Sequence, residues 1–221
     1  MAETVNGGAA NIQVAKAPAK TSNPIHIPSM ELQRISVSLV GDSPLIVHAW
    51  SAKAKQEMLA KQQKKAKGGR EKRNPKKEYE ESLYHHPEGG YGFPSGAFKQ
   101  AAVRGAKLDP GIAMTDAKSA FHVEGELTKI YGSEPQMRED MVKIGSGVAD
   151  LRYRGEFTQW VVNFIVAYNA AAISDEQIIN LFNVSGFGTG VGEWRPEKNG
   201  NFGRFHVSNG DDMEFLATLG L

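Results

Sequence analysis

The stretch SGFGTGVGEWRPEKNGNFGRFHV, residues 185–207, decides how this chain is read. It holds six glycines, at 186, 188, 190, 192, 200 and 203, interleaved with Phe187, Trp194 and Phe202 and with the cations Arg195, Lys198 and Arg204. Glycine permits positive φ and close approach of the backbone to another molecule. Aromatic faces stack on bases, and guanidinium groups reach phosphates. Backbone N–H groups in such a segment can form a concavity for anions. The element downstream of the glycines matters as much. The segment feeds a strand, GRFHV, whereas a dinucleotide-binding fingerprint feeds a helix. No G-K-[ST] comes after the glycines, so it is not a nucleoside-triphosphate loop. The expectation is a loop lying against a polynucleotide, with Gly188, Gly190, Gly192, Trp194, Arg195, Lys198 and Arg204 as contacts. A long hairpin whose glycines only serve turns is the plainer alternative.

Working outward, Ser174-Asp175-Glu176 caps a helix running through Phe182. Before it, Asp150 to Asn169 is the most β-rich part of the chain and reads as a hairpin, LRYRGEF then QWVVNFIVAY, its second arm buried on both faces. Trp160, Phe164 and Tyr168 share one face of that arm. Core packing explains them, and base stacking on an RRM-like sheet is the alternative. Tyr153 and Arg154, on the partner arm, are expected to be exposed contacts. Pro135 to Gly147 reads as an irregular excursion, and Phe121 to Ile130 as a strand. Gln33 to Val40 alternates polar with apolar and is β-branched, hence a strand. Gly41 to Pro44 punctuates it, and Leu45 to Trp50 extends it past a bulge. Ser95 is placed to cap the helix GAFKQAAVRGAK, which sets Phe98, Ala101, Ala102 and Val103 near one face. Stripped of insertions the order is β-α-β-β-α-β, the ferredoxin-like or RRM-like arrangement. The fold expected is therefore α+β: an antiparallel sheet with helices on one face, plus a basic helical insertion.

Charge is unevenly distributed. The chain of 221 residues carries a net +1, yet Lys53 to Lys77 holds eleven Lys or Arg against two Glu. This basic insertion, residues 51–83, interrupts the fold, and Lys64, Lys65, Arg70 and Arg73 are its candidate phosphate contacts. A solvated charge run is the bland alternative. Residues 1–29 lack periodicity and read as a disordered N-terminal arm ahead of a domain spanning 30–221. The chain has no cysteine, which removes disulfides and thiolate chemistry. No apolar run reaches the roughly 20 residues of a membrane helix, and no membrane contact is expected. At the start of the helix after Pro94, Ser95 and Gly96 offer partial positive charge, with Lys99 and Arg104 on the same element. His85 and His86 are adjacent, so on a strand they point to opposite faces and chelate poorly. They remain weak acid–base candidates; neither a metal site nor a cofactor is expected.

Three blocks in order carry a resemblance: GDSPLIVH at 41–48 after the first strand, YGFPSGAFKQAAVRGA at 91–106, and the glycine stretch before the last strand. Together they resemble the RAMP superfamily, the ferredoxin-like RNA-binding proteins of CRISPR systems, nearest to the backbone subunits that polymerise along a guide RNA. The resemblance implies a non-catalytic protein that binds single-stranded RNA or DNA, RNA favoured. It implies self-association or related subunits along the strand, in the cytoplasm of a prokaryotic or phage-infected cell. No catalytic aspartate of the target-cleaving members is matched. Two alternatives stay open: a metal-independent RNA-processing endonuclease acting through His85 or His86, and a phage or mobile-element assembly protein reusing the fold.

Overall fold

The computed structural model describes residues 30–50, 52–63, 72–109, 111–144 and 147–221. The expected arm 1–29 and the candidates Lys64, Lys65 and Arg70 lie outside the described residues. In chain order the elements are β1 (Leu32–Gly41), β2 (Leu45–Val47), α1 (Ala52–Gln62), α2 (Pro75–Glu81), β3 (Gly92–Pro94), α3 (Ser95–Gly105), α4 (Met114–Ala120), β4 (Phe121–Val123), β5 (Leu127–Gly132), β6 (Gln136–Ile144), β7 (Val148–Phe157), β8 (Trp160–Asn169), α5 (Asp175–Gly188), β9 (Phe205–Val207) and α6 (Met213–Thr218).

The alternation in β1 does what period-two patterning requires: Val37 and Leu39 are buried on one face while Ser36 and Ser38 lie on the other. β1 is central. It pairs with β8 from Leu32↔Asn169 to Val40↔Val161 and with β9 on its other side. Beyond β8 lie β4 and β5, and β3 pairs with β5. Every pairing is antiparallel. Counting β4 and β5 as one strand broken near Gly125 (φ 82°), the last strand flanks the first, the third flanks its other side and the second lies outermost. This is the ferredoxin-like order, and the α+β expectation is met.

Helices α3 and α5 cover one face. Phe98, Ala101 and Ala102 of α3 and Ile178, Leu181 and Phe182 of α5 interleave with Leu39, Val162, Phe164 and Val166 of the sheet. Phe98 and Phe182 contact Phe164 at ring-centroid distances of 5.4 and 5.5 Å. A capping box between Ser174 and Gln177 starts α5. Trp160, Phe164 and Tyr168 are buried in this core, so packing is their role.

The structure departs from expectation in several places. First, β7 does not form a hairpin with β8. It pairs with β6 from Gln136↔Glu156 to Ile144↔Val148, and with β2 through Leu45↔Phe157, making a second antiparallel sheet. The chain passes between the sheets at Thr158–Gln159, and again between β1 and β2. Trp160 pins this corner: its Nε1 donates to the Ser43 carbonyl at 2.8 Å, and its ring lies where any Cβ on Gly41 would collide. Second, the stretch from Pro135, irregular by its sequence, contains the nine-residue strand β6. Third, Ser95 does not cap α3 from outside. It is the first helical residue, its N–H donating to Glu126 O (3.0 Å) and its buried hydroxyl bonded to Thr128 (2.8 Å). Fourth, α6 covers part of the opposite sheet face, Leu216 packing on Val40 and Val161.

Candidate nucleic-acid interface

The glycine stretch is helix first and loop second. Helix α5 runs on to Gly188, because the Ser185 carbonyl accepts from the N–H groups of Thr189 and Gly190, both at 2.8 Å. Gly188 is therefore helical, a correction to the expected loop. From Thr189 the chain folds back onto the protein. Val191 N–H donates to Gly203 O (2.9 Å), Glu193 N–H to Ile46 O (2.9 Å) and Gly203 N–H to Pro44 O (2.8 Å). Gly203 (φ 64°) has no room for a side chain, which would strike the Val191 carbonyl; Gly192 (φ 77°) faces Ile46 O, which a Cβ would meet at 2.5 Å. These glycines let the loop lie close to its own β2, in line with the plainer reading.

The loop's aromatic residues are also engaged. The guanidinium of Arg154 lies over Trp194 at 6.0 Å, and that of Arg138 over Phe202 at 4.7 Å. Trp194, at φ 54°, is 39% exposed, with Nε1 3.4 Å from Asp140. Arg154, expected on the surface, is 5% exposed. It donates to Asp140 (3.0 Å) and Glu193 (3.3 Å), because its strand position faces the loop and not solvent. Tyr153, its neighbour, is half-buried under Arg73. Burial alone would raise the Asp140 pKa, but hydrogen bonds from Arg138 and Arg154 outweigh it and hold the carboxyl below its ordinary value.

A cleft of about 220 Å³ opens between α3 and the loop. Phe93, Ala97 and Ala101 form its apolar side; His48, Gln100 and Glu193 supply polar groups. Arg104 and Arg195 stand in its lining too. Arg195 donates to Glu197 at 3.1 and 2.9 Å and to Gly192 O at 3.0 Å. Arg104, from α3, reaches the same Glu197. Two guanidiniums thus share one carboxylate. The His48 pKa is lowered, first by burial and then by the nearby Arg154 charge.

The remaining candidates scatter. Lys198 is exposed and has no ion pair among the described residues. Arg204 is half-buried, its Nε enclosed without a hydrogen-bond partner among the described residues and its backbone N–H donating to Ser43 Oγ at 2.9 Å. Gly96 is exposed with open space around it. Lys99 lies 3.0 Å from His122 Nδ1, its pKa lowered by burial and by Lys118. Arg73 joins α2 to β7: it bonds Glu78 twice (2.8 and 2.5 Å), Asp150 (2.8 Å) and Leu151 O (2.5 Å). Its hydrogen bonds with Glu78 drive its pKa further up. His85 packs on Tyr91, and His86 Nδ1 accepts from Glu88 N–H at 3.2 Å; neither lines the cleft. Among the described residues no group of three His, Cys, Asp or Glu is placed to hold a metal, and no helix is long and apolar enough to cross a membrane.

Sequence reasoning missed His48, Gln100, Glu193 and Glu197. Only the acidic residues beside Trp194 and Arg195 carried a signal, as the sole carboxylates of the glycine stretch.

No family model matches the chain. No curated protein matches it either. Among solved structures it is similar to the crystal structure of Cmr6 from Pyrococcus furiosus, at 10% identity and a TM-score of 0.44, the alignment covering 81% of this chain and 100% of that one.

Proposed function

We propose that this protein binds single-stranded nucleic acid, RNA in preference to DNA, without cutting it, and that copies assemble along the strand. One observation supports this above the others. Arg104 and Arg195, from opposite halves of the chain, converge on one carboxylate beside an apolar cleft. Two guanidiniums share that carboxylate, and guanidinium–phosphate pairs are bidentate and charge-assisted. The cleft's apolar side suits a base while the arginines hold its phosphate, the combination used on single strands. The basic helix α1 comes directly after β2 and His48, with Lys55 and Lys61 exposed. These cations add sequence-independent contact. The endonuclease alternative has less support: the Nδ1 of His86 is taken by a backbone N–H, and both histidines lie away from the arginines' cleft.

Fluorescence anisotropy with a roughly 30-nucleotide RNA, the same DNA and a duplex, at about 50 and about 200 mM salt, tests the proposal. Single-strand binding that weakens with salt is expected. Arg104→Ala with Arg195→Ala should lower affinity about tenfold or more, and Lys55→Ala with Lys61→Ala should flatten the salt slope by about one per lysine. Light scattering should show larger particles on long RNA. Absence of binding at low salt, or unchanged binding by the double arginine variant, would overturn it.

A further inference from the structure

We infer that the cleft between α3 and the loop is a pocket for one unstacked guanine. This rests on the nucleic-acid reading above and names the base. At about 220 Å³ the cleft is smaller than the roughly 300–1,000 Å³ of pockets for drug-sized ligands, which suits one heteroaromatic ring system and not a dinucleotide. Its apolar side, Phe93 with Ala97 and Ala101, accepts a flat face. Its polar groups choose the edge. Glu193 offers a carboxylate, which only accepts hydrogen bonds. Among the described residues its one arginine, Arg154 at 3.3 Å, is shared with Asp140. His48, 3.9 Å away, has its pKa pushed down and so favours the neutral form.

A carboxylate discriminates among bases by their Watson–Crick edges, the edges a single strand leaves free. Guanine presents two adjacent donors, N1–H and the N2 amino group. Uracil flanks its one donor with two carbonyls that would face the carboxylate. Adenine and cytosine each set a ring-nitrogen acceptor beside their amino group. Gln100, whose amide has no hydrogen-bond partner among the described residues, supplies a donor for guanine O6. Arg104 and Arg195 stand ready for the nucleotide's own phosphate.

The test is anisotropy with a roughly 30-nucleotide oligo(U) against the same strand carrying one central G, inosine, A or C. The single G should tighten binding about five- to tenfold, the range of one good bidentate contact. Inosine, which lacks the N2 amino group, should lose most of the gain. Glu193→Gln should bring the G-to-U affinity ratio close to one, with a circular-dichroism melt to verify folding. If that variant does not fold, the inosine comparison on the unaltered protein decides alone. Equal affinity for all these strands, or preference for A or C, overturns the guanine pocket and leaves single-strand binding standing. No binding to any strand overturns both.

Discussion

The two sheets of this protein are built on opposite principles. Between the ferredoxin-like sheet and helices α3 and α5 every large side chain is apolar, and aromatic rings touch from Phe98 through Phe164 to Phe182. The second sheet meets the glycine loop through charge. Arg138 and Arg154 stand directly opposite each other across β6 and β7. Like charges so placed repel. Asp140 lies between them, accepting from Arg138 at 2.8 Å and Arg154 at 3.0 Å, while Glu156 and Glu193 take the outer ends. Apolar burial does not depend on the protonation of any group. A buried ion network repays its desolvation only when every partner is present. The part of the molecule that positions the candidate interface is therefore the part most exposed to pH and to single charge changes.

The largest effect separating the two should come from the apolar side. Phe98→Ala opens a cavity beneath the sheet and should cost about 3–5 kcal/mol. Urea denaturation should show one cooperative transition moved to lower denaturant, with hydrogen exchange faster in both sheets. Faster exchange confined to β1 and β8 would break the claim that the ferredoxin-like core supports the rest.

Asp140→Asn comes next. It keeps the shape but leaves two opposed guanidiniums without their shared anion, at about 1.5–3 kcal/mol for hydrogen bonds to a charged group. Here exchange should quicken in β6, β7 and residues 189–204, and stay slow in β1 and β8. Acid should mimic the substitution. The Asp140 pKa is depressed in the folded state, so its contribution is present above the ordinary value of 3.8 and is lost as pH falls through the lowered one. Exchange at the Arg154 amide and the near-ultraviolet signal from Trp194 should change in that window in the parent and not in Asp140→Asn.

The same contrast explains what is legible in the sequence. β1 and β8 carry their burial in the letters: Val37 and Leu39, Val162, Phe164 and Val166 repeat at period two, and the ferredoxin-like order emerges from them. β6, QMREDMVKI, alternates just as regularly, but its inward residues are Arg138 and Asp140, so no apolar period marks it and it reads as irregular. Without β6, β7 has only β8 to pair with, and a false hairpin results. Arg154 looks like a surface residue for the same reason. At the candidate interface, the arginines of the glycine stretch are visible by type. The meeting of Arg195 with Arg104 at Glu197, and the cleft edge formed by His48, Gln100 and Glu193, depend on long-range packing that no local pattern encodes.

The smallest effect probes the seam where the first sheet turns into the second. His206 on β9 joins Asp42 of the corner (2.6 Å) to Asp212 ahead of α6 (3.0 Å). Burial alone would lower its pKa; hydrogen bonds to Asp212 and Asp42 outweigh that and raise it above the ordinary 6.5. A raised pKa means that the stabilisation is complete below 6.5 and fades as pH rises through the folded pKa, where the imidazole loses its charge between two carboxylates. With the side chain 31% exposed, solvent screening limits the gain to under about 1 kcal/mol. Urea midpoints should therefore slip slightly as pH rises above 6.5, and His206→Gln should remove the slope. Because α6 rests on Val40 and Val161 through Leu216, its apolar contact should persist at the higher pH while its first turn loosens. A His206 proton titration at or below the ordinary value would show that burial outweighs the two carboxylates, and that the seam is held by packing alone.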